Sequence, residues 1–228
     1  MTALDERVQQ AAALVRRRIE AAGGDPEAVQ LLAVTKGQPV DAVAAAAAAG
    51  LADVGESYVQ ELTSKAEQLA GLAGGPPAVR WHLIGRLQRN KVRQAAPYVH
   101  LWQSIDRLSV AAEVANRAPG AAVLVQVNVT GSDQQGGCPP ARVPAVVEAC
   151  TDLGLDVRGL MAIGAQGNDA EVRAGFRTVR DLADRLGLPE RSMGMSGDLE
   201  IAVGEGSTMV RVGTALFGPR GGSQPVGN

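Results

Sequence analysis

Aromatic residues make up only 3% of this 228-residue chain, and it has just two cysteines, Cys138 and Cys150. Neither cysteine has Cys or His companions at metal-ligand spacing, so a zinc module and a disulfide-stapled secreted fold are both excluded. Cys150 reads as a small buried apolar residue. No apolar run approaches the ~20 residues of a membrane span, and the opening Met1 to Arg7 has neither a basic nor an apolar leader segment. A cytoplasmic protein with no membrane partner is expected. Net charge is −2 and no basic block exceeds Arg16-Arg17-Arg18, which removes the electrostatic footprint of a nucleic-acid binder. The 28 glycines and 12 prolines stay below the roughly 25–30% that marks low-complexity chains. Lysine is scarce too: Lys36, Lys65 and Lys91 are the only three among 22 basic residues.

What is present is apolar volume from Ala, Val and Leu. A chain this long buries roughly 70% of its unfolded surface, enough for a core without metal or disulfides. One domain over residues 1–220 is expected, with 221–228 a flexible tail, Gly71 to Pro77 a surface loop, and the monomer as the working unit.

Short apolar runs alternate with helical periodicity along the chain. Strand-like runs fall at Leu31 to Lys36, Asp53 to Glu56, Trp81 to Gly85, Leu101 to Ile105, Val123 to Val129, Val157 to Ile163, Arg191 to Met195 and Met209 to Phe217. Helix-like stretches lie between them, and a further helix, Asp5 to Ala22, precedes the first strand and stops at Gly23-Gly24. Eight such alternations point to an α/β fold, a single (β/α)8 TIM barrel with an extra N-terminal helix, its layers filled by branched side chains. An open Rossmann-like sheet is the runner-up, but Lys36-Gly37-Gln38-Pro39 stands where a G-x-G-x-x-G turn would open the first crossover helix.

In such barrels the reactive groups sit at the carboxyl ends of the strands. Lys36 ends Leu-Leu-Ala-Val-Thr without an acid within four residues. It either snorkels to solvent or serves as a Schiff-base lysine, since an apolar site lowers an amine's pKa and frees the nucleophilic form. Ser196-Gly197 and Gly213-Thr214, at the ends of strands seven and eight, offer backbone amides and hydroxyls for an anion, or merely tight turns. Asp198 reads as a helix cap. Arg211 shares parity with Met209 and Gly213, so an inward guanidinium needs an acceptor: a carboxylate such as Glu56, or a cofactor atom. His82 reads as a satisfied core histidine.

Leu-Leu-Ala-Val-Thr-Lys36, Val-Gly-Glu-Ser-Tyr-Val-Gln-Glu61, Trp-His-Leu-Ile-Gly-Arg-Leu-Gln-Arg-Asn-Lys91, Gly-Leu-Met-Ala-Ile163, Ser-Met-Gly-Met-Ser196 and Ser-Thr-Met-Val-Arg-Val-Gly-Thr214 together resemble the pyridoxal phosphate homeostasis proteins. The likeness runs in order from about residue 5 to residue 220. It implies a barrel like the N-terminal domain of alanine racemase, holding pyridoxal 5′-phosphate as an aldimine on Lys36. By position, Ser196, Gly213 and Thr214 would hold the phosphate, Arg211 would face the pyridine nitrogen, and Ser57 and Met161 would complete the cofactor site, with no metal and no catalytic residue. The sequence departs from the family at Ser57, where Asn is usual. Gln134 to Gly137 replaces a Ser-Lys-x-Gly loop. Arg86 and Arg89 replace His and Ser, adding to a solvated basic face from Arg86 to Arg93.

A protonated arginine beside the ring nitrogen makes a poor electron sink, and the second base of the racemases comes from a separate domain that these residues do not include. The resemblance therefore implies a binder in vitamin B6 homeostasis that delivers the cofactor to apo-enzymes without turnover. A racemase-like enzyme and a lysine-dependent aldolase are the alternatives.

Overall fold

The computed structural model describes residues 2–71, 78–132, 135–165 and 167–219. Eight parallel strands close on themselves in chain order: β1 Gln30–Val34, β2 Asp53–Glu56, β3 Arg80–Leu83, β4 Val99–Ile105, β5 Ala122–Val127, β6 Asp156–Ala162, β7 Glu190–Ser192 and β8 Met209–Val212. Closure is the pairing of β1 with β8, Leu32 opposite Arg211 and Ala33 opposite Val212. The outer helices are α2 Val40–Ala48, α3 Val59–Ala70, α4 Val92–Ala95, α5 Leu108–Arg117, α6 Val143–Asp152, α7 Asp169–Leu186, α8 Leu199–Gly204 and α9 Thr214–Phe217, with α1 Ala3–Ala21 ahead of them. This is the TIM barrel with an extra N-terminal helix. The residues beyond Pro219, and 72–77 of the expected surface loop, lie outside the described set.

Local chemistry accounts for the helix limits. Thr2 and Asp5 form a reciprocal capping box at the start of α1, whose buried stripe Val8, Ala12, Val15 and Ile19 repeats at 3.6-residue spacing. That stripe packs toward α2, α8 and α9. Gly24 is needed where the chain leaves α1, because a Cβ there would stand 2.5 Å from Val203. Asn168 caps α7 through the amides of Ala170 and Glu171, and Gly187 ends it in the left-handed region at φ 66°.

Two strand ends differ from the sequence reading by three residues or more, the other limits lying within two. The run expected to continue to Phe217 leaves β8 at Val212 and winds into α9, because the amides of Leu216 and Phe217 turn back to the Gly213 carbonyl. The seventh strand ends at Ser192, before Gly194 at φ 90°. The interior also differs from branched layers alone. Leu32, Leu101, Leu124, Met161 and Met209 form an apolar cluster there. The polar side chains of His82, Gln103, Ser192 and Arg211 are buried as well. Among the described residues, no helix is long and apolar enough to cross a membrane, and no His, Cys, Asp or Glu cluster suits a metal.

Candidate functional site

Parallel strands present all their carboxyl ends at one mouth, and the predicted residues lie there. Lys36 follows β1 and is half-buried; Ser57 follows β2; Met161 is the penultimate residue of β6 and fully buried. Arg211 lies in β8, with Gly213 and Thr214 at its exit and Ser196 beyond β7. Strand pairing makes them neighbours. The Arg211 amide donates to Gly194 O at 2.9 Å, which joins the exit of β7 to β8. Gly213 passes so close to β1 that a Cβ on it would lie 3.1 Å from Val34 O. The Thr35 amide donates to Gly55 O at 3.1 Å, tying the exit of β1 to β2 and hence to Ser57.

The segment carrying Lys36 is clamped from behind by a residue the sequence reading passed over. Lys65 of α3 is buried, and its Nζ donates at 2.7 Å to Thr35 O, Glu56 Oε1 and Glu61 Oε1. Glu61 Oε1 also accepts from the Gly37 amide at 2.6 Å. An ammonium has three protons, and all three are engaged. One buried cation thus fixes the carbonyl before Lys36 and, through Glu61, the amide after it. The signal in the sequence was the i,i+4 pair of Glu61 and Lys65 on one helix.

Arg211 is buried among neutral acceptors. Its Nη1 donates to Ser192 O at 2.6 Å and Ser192 Oγ at 2.9 Å, and its Nη2 to Ala162 O at 2.8 Å. Glu56 is not its partner: that carboxylate has the opposite parity and faces Thr35 and Lys65 outside the barrel. Burial lowers the Arg211 pKa to about 10, which still leaves it charged at neutral pH. A guanidinium has five N–H donors, and these three bonds leave two for a ligand acceptor. Burial pushes the Glu56 carboxyl up, against the downward pull of Lys65 and Thr35.

The hydroxyls of Ser196 and Thr214 make no hydrogen bond among the described residues, and the first amides of α9 have no intrahelical acceptor. These groups suit an anion. Asp198 precedes α8, yet its carboxylate turns back to accept from the Met195 amide at 2.5 Å rather than capping the helix. Arg18 of α1, also missed from sequence, reaches across to Ser196 O at 2.9 Å while gripping Glu200 through Nε at 2.6 Å and Nη2 at 2.9 Å. The extra N-terminal helix therefore holds the Ser196 turn.

The remaining singled-out residues are mostly structural. Gly85 is obligatory, since a Cβ on it would fall 2.0 Å from Ser57 O. Residue 134 of the Gln134 to Gly137 loop lies outside the described set; Gly136 and Gly137 adopt φ of 70° and 93°. Arg86, Arg89 and Arg93 are exposed, as a solvated face requires. Burial raises both thiols, Cys138 and Cys150, to about 11, which suits inert packing.

Comparison with known proteins shows the family and the fold. The alanine racemase N-terminal domain family matches residues 8–221. The pyridoxal phosphate homeostasis protein of Pseudomonas aeruginosa is 43% identical over 99% of this chain and 100% of its own length. That of Escherichia coli K12 is 39% identical over 91% and 94%. The structure of Synechococcus elongatus PipY with PLP bound superposes with a TM-score of 0.77 at 35% identity, covering 90% of this chain and 100% of that one. By full-length similarity in sequence and fold, the chain belongs to the pyridoxal phosphate homeostasis proteins, built on the alanine racemase N-terminal domain.

Proposed function

We propose that this protein binds pyridoxal 5′-phosphate at the barrel mouth, holds it covalently through Lys36, and serves intracellular vitamin B6 homeostasis without catalytic turnover. When bound, the cofactor supplies an aldehyde that condenses with a primary amine and a conjugated ring able to accept electrons. In this reading Lys36 supplies the amine, Ser196, Gly213 and Thr214 hold the phosphate, and Arg211 donates to the ring nitrogen. Ser57 and Met161 line the site, within one barrel over residues 1–220.

The observation that carries the proposal is Arg211: a buried, charged guanidinium with no carboxylate in ion-pair range among the described residues and donors to spare. Such a group suits a neutral aromatic nitrogen and will not surrender its proton to it. The ring then draws electrons weakly, and carbanion chemistry at a bound amino acid is disfavoured. Neither tyrosine is held as a second base would be. Tyr58 is 66% exposed, and the Tyr98 hydroxyl donates to Glu67 at 3.3 Å. The partners in this reading are the cofactor and the apo-enzymes that need it, and the working unit is a cytoplasmic monomer.

The test is the absorption spectrum of the purified protein, followed by borohydride reduction and peptide mapping. The label should fall on Lys36, and Lys36→Ala should abolish both the visible band and the label. Labelling of Lys65 or Lys91 with the band intact in Lys36→Ala would refute the assignment.

A further inference from the structure

The inside of the barrel holds a continuous line of hydrogen bonds from its amino-terminal end to Arg211. Arg80, half exposed, grips Asp53 through Nε at 2.7 Å and Nη2 at 2.6 Å. Asp53 Oδ1 lies 3.0 Å from His82 Nε2, and His82 Nδ1 lies 2.8 Å from Gln103 Nε2. Ser192 Oγ donates to Gln103 Oε1 at 2.7 Å and accepts from Arg211 Nη1 at 2.9 Å. The line crosses β3, β2, β4, β7 and β8, and every member except Arg80 is buried.

The two ends give the line a direction. A guanidinium only donates, and a carboxylate only accepts. Burial alone would raise the Asp53 carboxyl, but its bonds from His82 and Arg80 hold it well below the usual carboxylate range, so it is ionised. His82 Nε2 therefore donates to Asp53; from the other end Arg211 donates to Ser192 Oγ, whose proton goes to Gln103 Oε1, and this turns the Gln103 amide nitrogen toward His82 Nδ1. A second contact, Gln103 Nε2 to Met209 Sδ at 3.1 Å, favours the same amide orientation. The Ser192 hydroxyl, committed to Gln103, turns a lone pair to Arg211. Burying these polar groups costs more than filling the same layer with Leu or Val, so bulk stability alone does not account for them.

We infer that Asp53, His82, Gln103 and Ser192 are positioning residues for the cofactor: their hydrogen-bonded line, acting with the Ser192 and Ala162 carbonyls, holds Arg211 in the orientation that leaves its spare donors for the ring nitrogen. This rests on the reading of Arg211 given above.

The experiment is a double-mutant cycle. Gln103→Met removes both amide links at nearly constant volume, and Ser192→Ala removes the link that touches Arg211. Titration of the apo-protein with pyridoxal 5′-phosphate, followed by absorbance, should show about tenfold weaker binding for Ser192→Ala, the effect of losing one charge-assisted hydrogen bond, and a smaller loss of about threefold for Gln103→Met, which reaches Arg211 only through Ser192. In an Arg211→Met background the same substitutions should cost less than about twofold, and the two together no more than the larger alone. Equal losses with and without Arg211 would mean general loosening of the barrel and would overturn the inference. If Gln103→Met does not fold by circular dichroism, the Ser192→Ala cycle decides. A wild-type apo-protein that does not titrate at all would instead refute the cofactor reading, and the relay's role with it.

Discussion

Lys65→Met keeps the length and apolar volume of the side chain and removes only the ammonium. Three acceptors at 2.7 Å then lose their donor. Thr35 O is neutral, and Glu61, 23% exposed at its side chain, can swing toward water. Glu56 has no such exit: its side chain is fully buried, Oε1 keeps only the Thr35 hydroxyl at 2.6 Å, and Oε2 has no partner. Leaving a buried charge unpaired costs about 3–5 kcal/mol, so Tm should fall by roughly 6–20 °C in a chain of this size.

A proton relieves part of that cost, and this supplies the pH signature. The Glu56 carboxyl sits above its ordinary value of 4.5 in the folded protein, chiefly because it is buried. Between the unfolded and folded values the native state binds more protons, so stability falls as pH rises through that window. Removing Lys65 extends the window upward. The gap in Tm between wild type and Lys65→Met should be widest near neutral pH and close toward pH 4.5, as calorimetry of the apo-protein would show. Glu56→Gln added to Lys65→Met should recover most of the loss. A deficit under about 2 °C at neutral pH, or one that does not vary with pH, would refute the reasoning.

Ser196→Ala combined with Thr214→Val should weaken cofactor retention by well over tenfold while leaving the apo-protein folded, since charge-assisted bonds to an anion contribute about 1.5–3 kcal/mol each. Equal affinity for pyridoxal with and without its phosphate would remove the cradle. Arg18→Met should release the Ser196 turn, weakening cofactor retention by about threefold to tenfold. Its effect on Tm should stay within a few degrees, because the lost ion pair is partly exposed. Alanine incubated in heavy water with excess holo-protein should keep its Cα proton by NMR, and exchange at an enzyme-like rate that is lost in Lys36→Ala would establish a racemase-like enzyme instead.

Periodicity made the barrel legible because each strand is a short apolar run between helical segments, and Asp53 to Glu56 matches β2 end to end. It failed at Ala215 to Phe217, where an apolar run reads as strand but the chain has already turned at Gly213. The mouth residues were readable because strand ends are sequence-local. Partners were not. Glu56 was a candidate for Arg211 by charge alone, yet Asp53 and Gly55 alternate with it and turn it outward. The line from Asp53 to Arg211 joins five strands separated by up to 89 residues between contacting side chains, and no local pattern announces such a contact.

The scarcity of lysine acquires a chemical meaning once Lys65 is seen to be fully occupied. An aldehyde condenses with exposed primary amines without regard to fold, and guanidinium groups do not compete for it. Lys65 has no proton to spare and almost no exposure, while Lys91 is half-buried in the short turn Arg89–Lys91. A surface furnished with arginine in place of lysine keeps its positive charge yet offers an aldehyde few landing places, so in the proposed reading selectivity for Lys36 arises as much by subtraction elsewhere as by recognition at the mouth.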